Sequence, residues 1–130
     1  MSLIVLDASA AVEMFLGTPE GRRLSVKVPK GSTTHVPEHF YVEVAATLRR
    51  MELGAAITPD DAAKAYRRLL ALTTQRAQVR PLLPAAWRLR HNLTVADAIY
   101  VVLAHSLSAD LVTGDIRLAQ APNLGISVIS

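Results

Sequence analysis

The sequence has no cysteine, which excludes disulfide scaffolds, thiolate metal sites and thiol nucleophiles at once. A reducing compartment suits such a chain. Aromatic residues make up only 5%, too few for an extended platform on which single-stranded bases stack. Charged residues are also sparse, 19% against 51% apolar, a balance that excludes a disordered chain. Long apolar runs are missing too. The stretch 98–104 is far too short to span a bilayer, and the apolar N-terminus is interrupted by Asp7 and Glu13 and carries no basic leader. The expectation is a cytoplasmic protein without a membrane segment.

What is present suffices for one core. For 130 residues and 14.0 kDa, surface scaling leaves about 6,700 Å² exposed, so that roughly two-thirds of the chain's surface is buried. Residues 1–130 are expected to form a single domain. The net charge of +3, from 14 basic and 11 acidic residues, permits a polyanionic partner without requiring one. So large an apolar share in so small a domain implies a hydrophobic interface besides the core, and a homodimer is the expectation.

Leu3–Leu6 is an unbroken aliphatic run ended by a polar residue, the pattern of a strand buried on both faces of a parallel sheet. Thr18-Pro19-Glu20 and Thr58-Pro59-Asp60-Asp61 each place a hydroxyl, a proline and then acids, which together start a helix. Strands are expected at Thr34–Val36, Ala77–Val79, Leu111–Thr113 and Ile126–Ile129. Helices are expected from Glu38 to Met51, with Tyr41, Val44, Leu48 and Met51 as the apolar stripe, and from Thr58 to Thr73 and Pro84 to His91. Thr94 caps a further helix that is apolar almost all round and must lie packed between other elements. Strands alternating with helices give an α/β three-layer sandwich around a mainly parallel central sheet.

Such sheets bind ligands beyond the carboxyl ends of their strands. Asp7 follows the first strand directly, and Asp115 follows a later one across Gly114. Asp97 lies in the first turn of the apolar helix, and Glu43 flanks the stripe of its own. Each has an ordinary reading: Asp7 and Asp115 as helix caps, Thr94 with Asp97 as a variant capping box, Glu43 as a solvated side chain. Those readings do not require all four to surround one cleft. Carboxylates held together repel and need a cation. An all-oxygen anionic set suits Mg²⁺ or Mn²⁺, ions that bridge phosphates and activate water.

V-L-D-A-S at 5–9, V-E-V-A at 42–45, V-A-D-A-I-Y-V-V-L-A at 95–104 and L-V-T-G-D-I-R-L-A at 111–119 resemble the PIN-domain ribonucleases, above all the VapC toxins of VapBC toxin–antitoxin pairs. The resemblance covers nearly the whole chain in order. It implies a PIN-like parallel sheet with helices on both faces and Mg²⁺- or Mn²⁺-dependent endonucleolytic cleavage of RNA to a 5′-phosphate and a 3′-hydroxyl. It also implies a homodimer and a small cognate antitoxin. Asp7, Glu43, Asp97 and Asp115 become the acidic metal site, with Thr113 a hydroxyl that orients a carboxylate or water, and Ser9 another. Where many relatives carry an aromatic residue before the third acid, this chain has Ala96. A PIN-like module that binds RNA or protein without cutting is the alternative. Receiver domains and haloacid-dehalogenase-like phosphatases fit less well, because Ala8 and Ser9 stand where they need acids and the last lysine is Lys64.

Other signals are weaker. Pro37 makes one zinc-binding helix through His35 and His39 improbable. Most arginine pairs read as solvated helix faces, while Arg117, beside Asp115, is best placed to meet a phosphate. RNA recognition is expected to rest on backbone charge and shape, with Trp87 or Tyr41 assisting, although Trp87 reads first as a core or interface residue.

Overall fold

The structure, a computed structural model, describes residues 2–130. Five strands, β1 (Leu3–Leu6), β2 (Thr33–Pro37), β3 (Gln75–Ala77), β4 (Asp110–Val112) and β5 (Val128–Ile129), form one sheet in the order β3-β2-β1-β4-β5. Every pairing is parallel. Seven helices alternate with them: α1 (Ala8–Leu16), α2 (Pro19–Lys27), α3 (His39–Leu53), α4 (Pro59–Ala71), α5 (Leu83–Arg88), α6 (Val95–Leu107) and α7 (Ile116–Ala119). Helices α1–α4 pack among themselves and α5 packs on α6. The flanked sheet is the three-layer α/β sandwich that the alternation of elements predicts.

The apolar run of β1 makes it the central strand. Ile4, Val5 and Leu6 are buried, each contributing on the order of 2 kcal/mol relative to exposure. The start signals work as their chemistry requires: the hydroxyls of Thr18, Thr58 and Thr94 accept from the amides of Gly21, Asp61 and Asp97. Helix α6 is the packed helix its composition demands, touching β1, β2, β4 and α5. Gly21 lets α2 lie directly on α1, since a Cβ there would fall 2.1 Å from the Glu13 carbonyl oxygen. Among the described residues no helix is long and apolar enough to cross a membrane.

Several expectations shift: the last strand is confined to Val128–Ile129 of the expected Ile126–Ile129, and the helix expected from Pro84 to His91 spans Leu83–Arg88. The third strand occupies Gln75–Ala77 instead of Ala77–Val79, because its backbone register against His35–Pro37, not its own apolarity, defines it. Trp87 is outside the core, 59% exposed on α5. Small residues such as Ala86, which is fully buried, fill the α5–α6 contact and leave the indole outside.

Candidate active site

The junction between β1 and α1 sets the first acid. The Asp7 amide donates to the Val112 carbonyl of β4 at 3.0 Å, extending the β1–β4 pairing to the end of the strand. Its Oδ1 accepts from the Ala10 amide at 3.0 Å and from the Ser9 hydroxyl at 2.7 Å. The capping role is therefore real, yet Asp7 is only 4% exposed and is paired with no cation among the described residues. Burial pushes its pKa up, against hydrogen bonds from Thr113, Ala10 and Ser9, and the charge of Asp97 adds to the rise.

Strand β4 delivers the neighbouring groups. Thr113 is fully buried, and its Oγ1 accepts from the Asp115 amide at 3.0 Å and lies 3.4 Å from the Ser9 Oγ. Ser9 also accepts from the Gly114 amide at 3.0 Å. These hydroxyls tie the ends of β1 and β4 into one polar knot. Asp115 caps α7 through the Arg117 amide at 2.9 Å, and the Arg117 Nε lies 3.8 Å from its Oδ1 with the arginine side chain 94% exposed.

Asp97 enters from α6. Burial raises its pKa, the Thr94 hydroxyl opposes the rise, and the charges of Asp115 and Glu43 push it further up while Arg117 pulls it down. Asp97, Asp115 and Arg117 share the wall of a cleft of about 150 Å³. A wider cleft of about 600 Å³ is walled by Ser9, Thr113 and Gly114 together with Glu13 and Glu20.

Glu43 is not a free solvated residue. Tyr100, 1% exposed on α6, donates its hydroxyl to Glu43 Oε1 at 2.6 Å, and burial with that carboxylate holds the phenol far above its ordinary pKa. His39, one turn before Glu43, brings its Nε2 to 3.3 Å from the same oxygen and to 3.2 Å from the Ala96 carbonyl. Both partners accept, so Nε2 carries the proton, and Nδ1 is a buried nitrogen without a hydrogen-bond partner among the described residues. The imidazole lies against the Tyr100 ring at 4.9 Å. Two contacts thus brace α3 to α6 on either side of Asp97.

The structure therefore places Asp7, Glu43 and Asp115 each within electrostatic reach of Asp97. It does not pool them into a ready ligand set: among the described residues no three such side chains converge on one point. His35 lies in β2 and His39 in α3, on separate elements as Pro37 dictates. Sequence reading weighs His39 only as a zinc ligand with His35 and counts Tyr100 only as an apolar residue of its helix, although their spacing, four before Glu43 and three after Asp97, puts each on the same helix face as its acid.

A PIN-domain profile matches residues 4–124. The chain is 40% identical over 119 residues to Ribonuclease VapC12 of Mycobacterium tuberculosis, covering 92% of each. It is 38% identical over 125 residues to Ribonuclease VapC1 of the same organism, covering 95% of this chain and 94% of that one. Among solved structures, Mycobacterium tuberculosis VapC20, described as a sarcin-ricin loop cleaving toxin, superposes with a TM-score of 0.66 at 18% identity over 95% of this chain and 98% of that one. VapBC2 from Rickettsia felis, bound to a DNA fragment from its promoter, superposes with a TM-score of 0.65 at 12% identity over 97% of this chain and 96% of that one.

Proposed function

The chain belongs to the PIN-domain family of VapC ribonucleases, and from that membership we propose that it is an endoribonuclease toxin hydrolysing RNA phosphodiesters with Mg²⁺ or Mn²⁺, residues 1–130 forming one PIN domain. The observation that carries the reading is electrostatic: Asp97 bears the charge of Asp115 and Glu43, Asp7 bears that of Asp97, and among the described residues Arg117 pairs with Asp115 and His39 with Glu43 while Asp7 and Asp97 have no ion-pair partner. An arrangement that works against its own ionisation suits a hard cation. The donors fit one, being carboxylates with the Ser9 and Thr113 hydroxyls beside them and no thiol.

Asp7, Glu43, Asp97 and Asp115 would hold the ion. When bound, it supplies neutralisation of the phosphate and a more acidic attacking water. The chain's own residues do the rest. Ser9 and Ala10 fix the Asp7 carboxylate at the strand end. Thr113 orients the Asp115 backbone and steadies Asp7. Tyr100 and His39 fix Glu43. Arg117, exposed next to Asp115, meets a phosphate oxygen of the RNA. In-line attack leaves a 5′-phosphate and a 3′-hydroxyl.

A small VapB-like antitoxin and a second copy of the chain are the proposed protein partners, and the cytoplasm the proposed compartment. The exposed area, 7670 Å², is about 1,000 Å² above the scaling value for a monomer of this mass. Val42, Leu53, Tyr66 and Leu70 stand exposed on α3 and α4 and suit such contacts.

Purified protein is expected to degrade RNA with Mg²⁺ or Mn²⁺, to stop in chelator, and to lose activity in Asp7→Asn and Asp97→Asn. Cleavage by both variants at the wild-type rate would overturn the assignment.

A further inference from the structure

Between Asp61 and Asp97 the sequence contains no acidic residue, yet it contains seven basic ones. Three of them, Arg80, Arg88 and Arg90, fall on the short turn before α5, on α5 and just after it, all exposed. None is ion-paired among the described residues. The same surface carries the exposed Trp87. The Arg90 guanidinium sits 4.7 Å from the centre of its ring and is anchored there by a 2.9 Å hydrogen bond from Nη1 to the Trp87 carbonyl. Beside the indole is an open concavity of about 590 Å³ walled by Arg80, Leu83, Pro84, Trp87 and Val95. Val95 begins α6, two residues before Asp97, so the concavity and the acidic cleft adjoin the same helical turn.

From this juxtaposition we propose that the α5 surface is a docking site for an unpaired nucleotide of the RNA substrate, its base stacked on Trp87 and its phosphates held by Arg80, Arg88 and Arg90. The inference rests on the ribonuclease reading for the identity of its ligand. Aromatic faces accept any base, and neighbouring guanidinium groups supply both phosphate contacts and cation–π support. Charge disfavours a second copy here. A two-fold interface would set this patch against itself, opposing unpaired arginines with no carboxylate between residues 62 and 96 to answer them. A cation-rich surface leading to a cluster of acids also resolves the electrostatic conflict of the site, because the strand is held by the arginines before its phosphate reaches the carboxylates.

Trp87 is the only tryptophan, so its fluorescence reports this surface alone. In the Asp97→Asn chain, which does not consume the probe, single-stranded decauridylate is expected to quench the emission in a saturable way. Binding of labelled decauridylate is expected to weaken about tenfold or more in Trp87→Ala and to stay near the parent value in Trp87→Phe, which keeps a stacking face. Arg80→Ala is expected to lower the slope of log affinity against log salt by about 0.7. Unchanged emission and unchanged affinity in Trp87→Ala overturn the proposal. So does normal RNA affinity in a Trp87→Ala chain that light scattering shows to have lost a dimer, which gives the face to a second copy. Asp97-dependent cleavage without a Trp87 response refutes the platform and leaves the ribonuclease reading standing. Quenching without any such cleavage does the reverse.

Discussion

Replacing Asp7 by asparagine is expected to stabilise the metal-free protein while silencing it. The carboxylate is 4% exposed, and burial together with Asp97 raises its pKa. At neutral pH the fold therefore works against ionisation at this position. Asparagine keeps the oxygen that caps Ala10, asparagine and aspartate being equal in that role, and its amide finds the Thr113 hydroxyl as an acceptor. Only the charge disappears. Stabilising single substitutions commonly gain about 0.5–2 kcal/mol, roughly 2–8 °C in melting temperature for a chain of this size, and the variant is expected to melt above the wild type within that range. Mn²⁺ should reverse the order: at a hundred times its dissociation constant a ligand adds about 2.7 kcal/mol, available to the wild type and largely denied to the variant. Thermal melts in chelator and in Mn²⁺ measure both effects. A variant that melts below the wild type in chelator, or that gains as much from Mn²⁺, would refute the reasoning.

Three further outcomes follow from the same geometry. The folded pKa values of Asp7 and Asp97 lie above the ordinary aspartate value, so the stability these groups allow is full below that ordinary value and is lost as pH rises through the folded values; in chelator, the melting-temperature gap between Asp7→Asn and wild type should accordingly close as the pH is lowered toward about 4. Tyr100→Phe removes the hydroxyl that holds Glu43 and should cut Mn²⁺ affinity measured by calorimetry about 10–100-fold, but should add little loss in a Glu43→Gln background; additive losses would mean that the two act separately. Gly21→Ala pushes a methyl into the Glu13 carbonyl and should cost about 2–3 kcal/mol in urea unfolding, an unchanged midpoint showing that α1 and α2 separate freely.

The fold was legible where a residue's chemistry acts locally. The aliphatic run of β1, the hydroxyl caps of α2, α4 and α6, and the all-round apolarity of α6 each declare an element without help from a partner. Legibility failed where the partner decides. Strand β3 is largely exposed at the sheet edge and has no apolar pattern of its own, so only its pairing with β2 sets its register. Trp87 reads as core or interface by type, and the core half fails because the alanine behind it takes the inner position. The acids could be named singly because each terminates a strand or opens a helix. The brace around Glu43 could not, since Tyr100 looks like one more apolar residue of α6 until the fold turns its hydroxyl toward α3.

The pairing of β1 with β4 also orders events in time. The Val112 carbonyl that anchors the Asp7 amide is synthesised more than a hundred residues after it. Contacts so distant in sequence close late in folding, after the entropy of the intervening loop has been overcome. Asp97 and Asp115 are made in the same stretch as Val112. The acidic cluster therefore has no existence in a chain that stops short of Asp115, and a cell translating this message meets the assembled site only after that residue has been made.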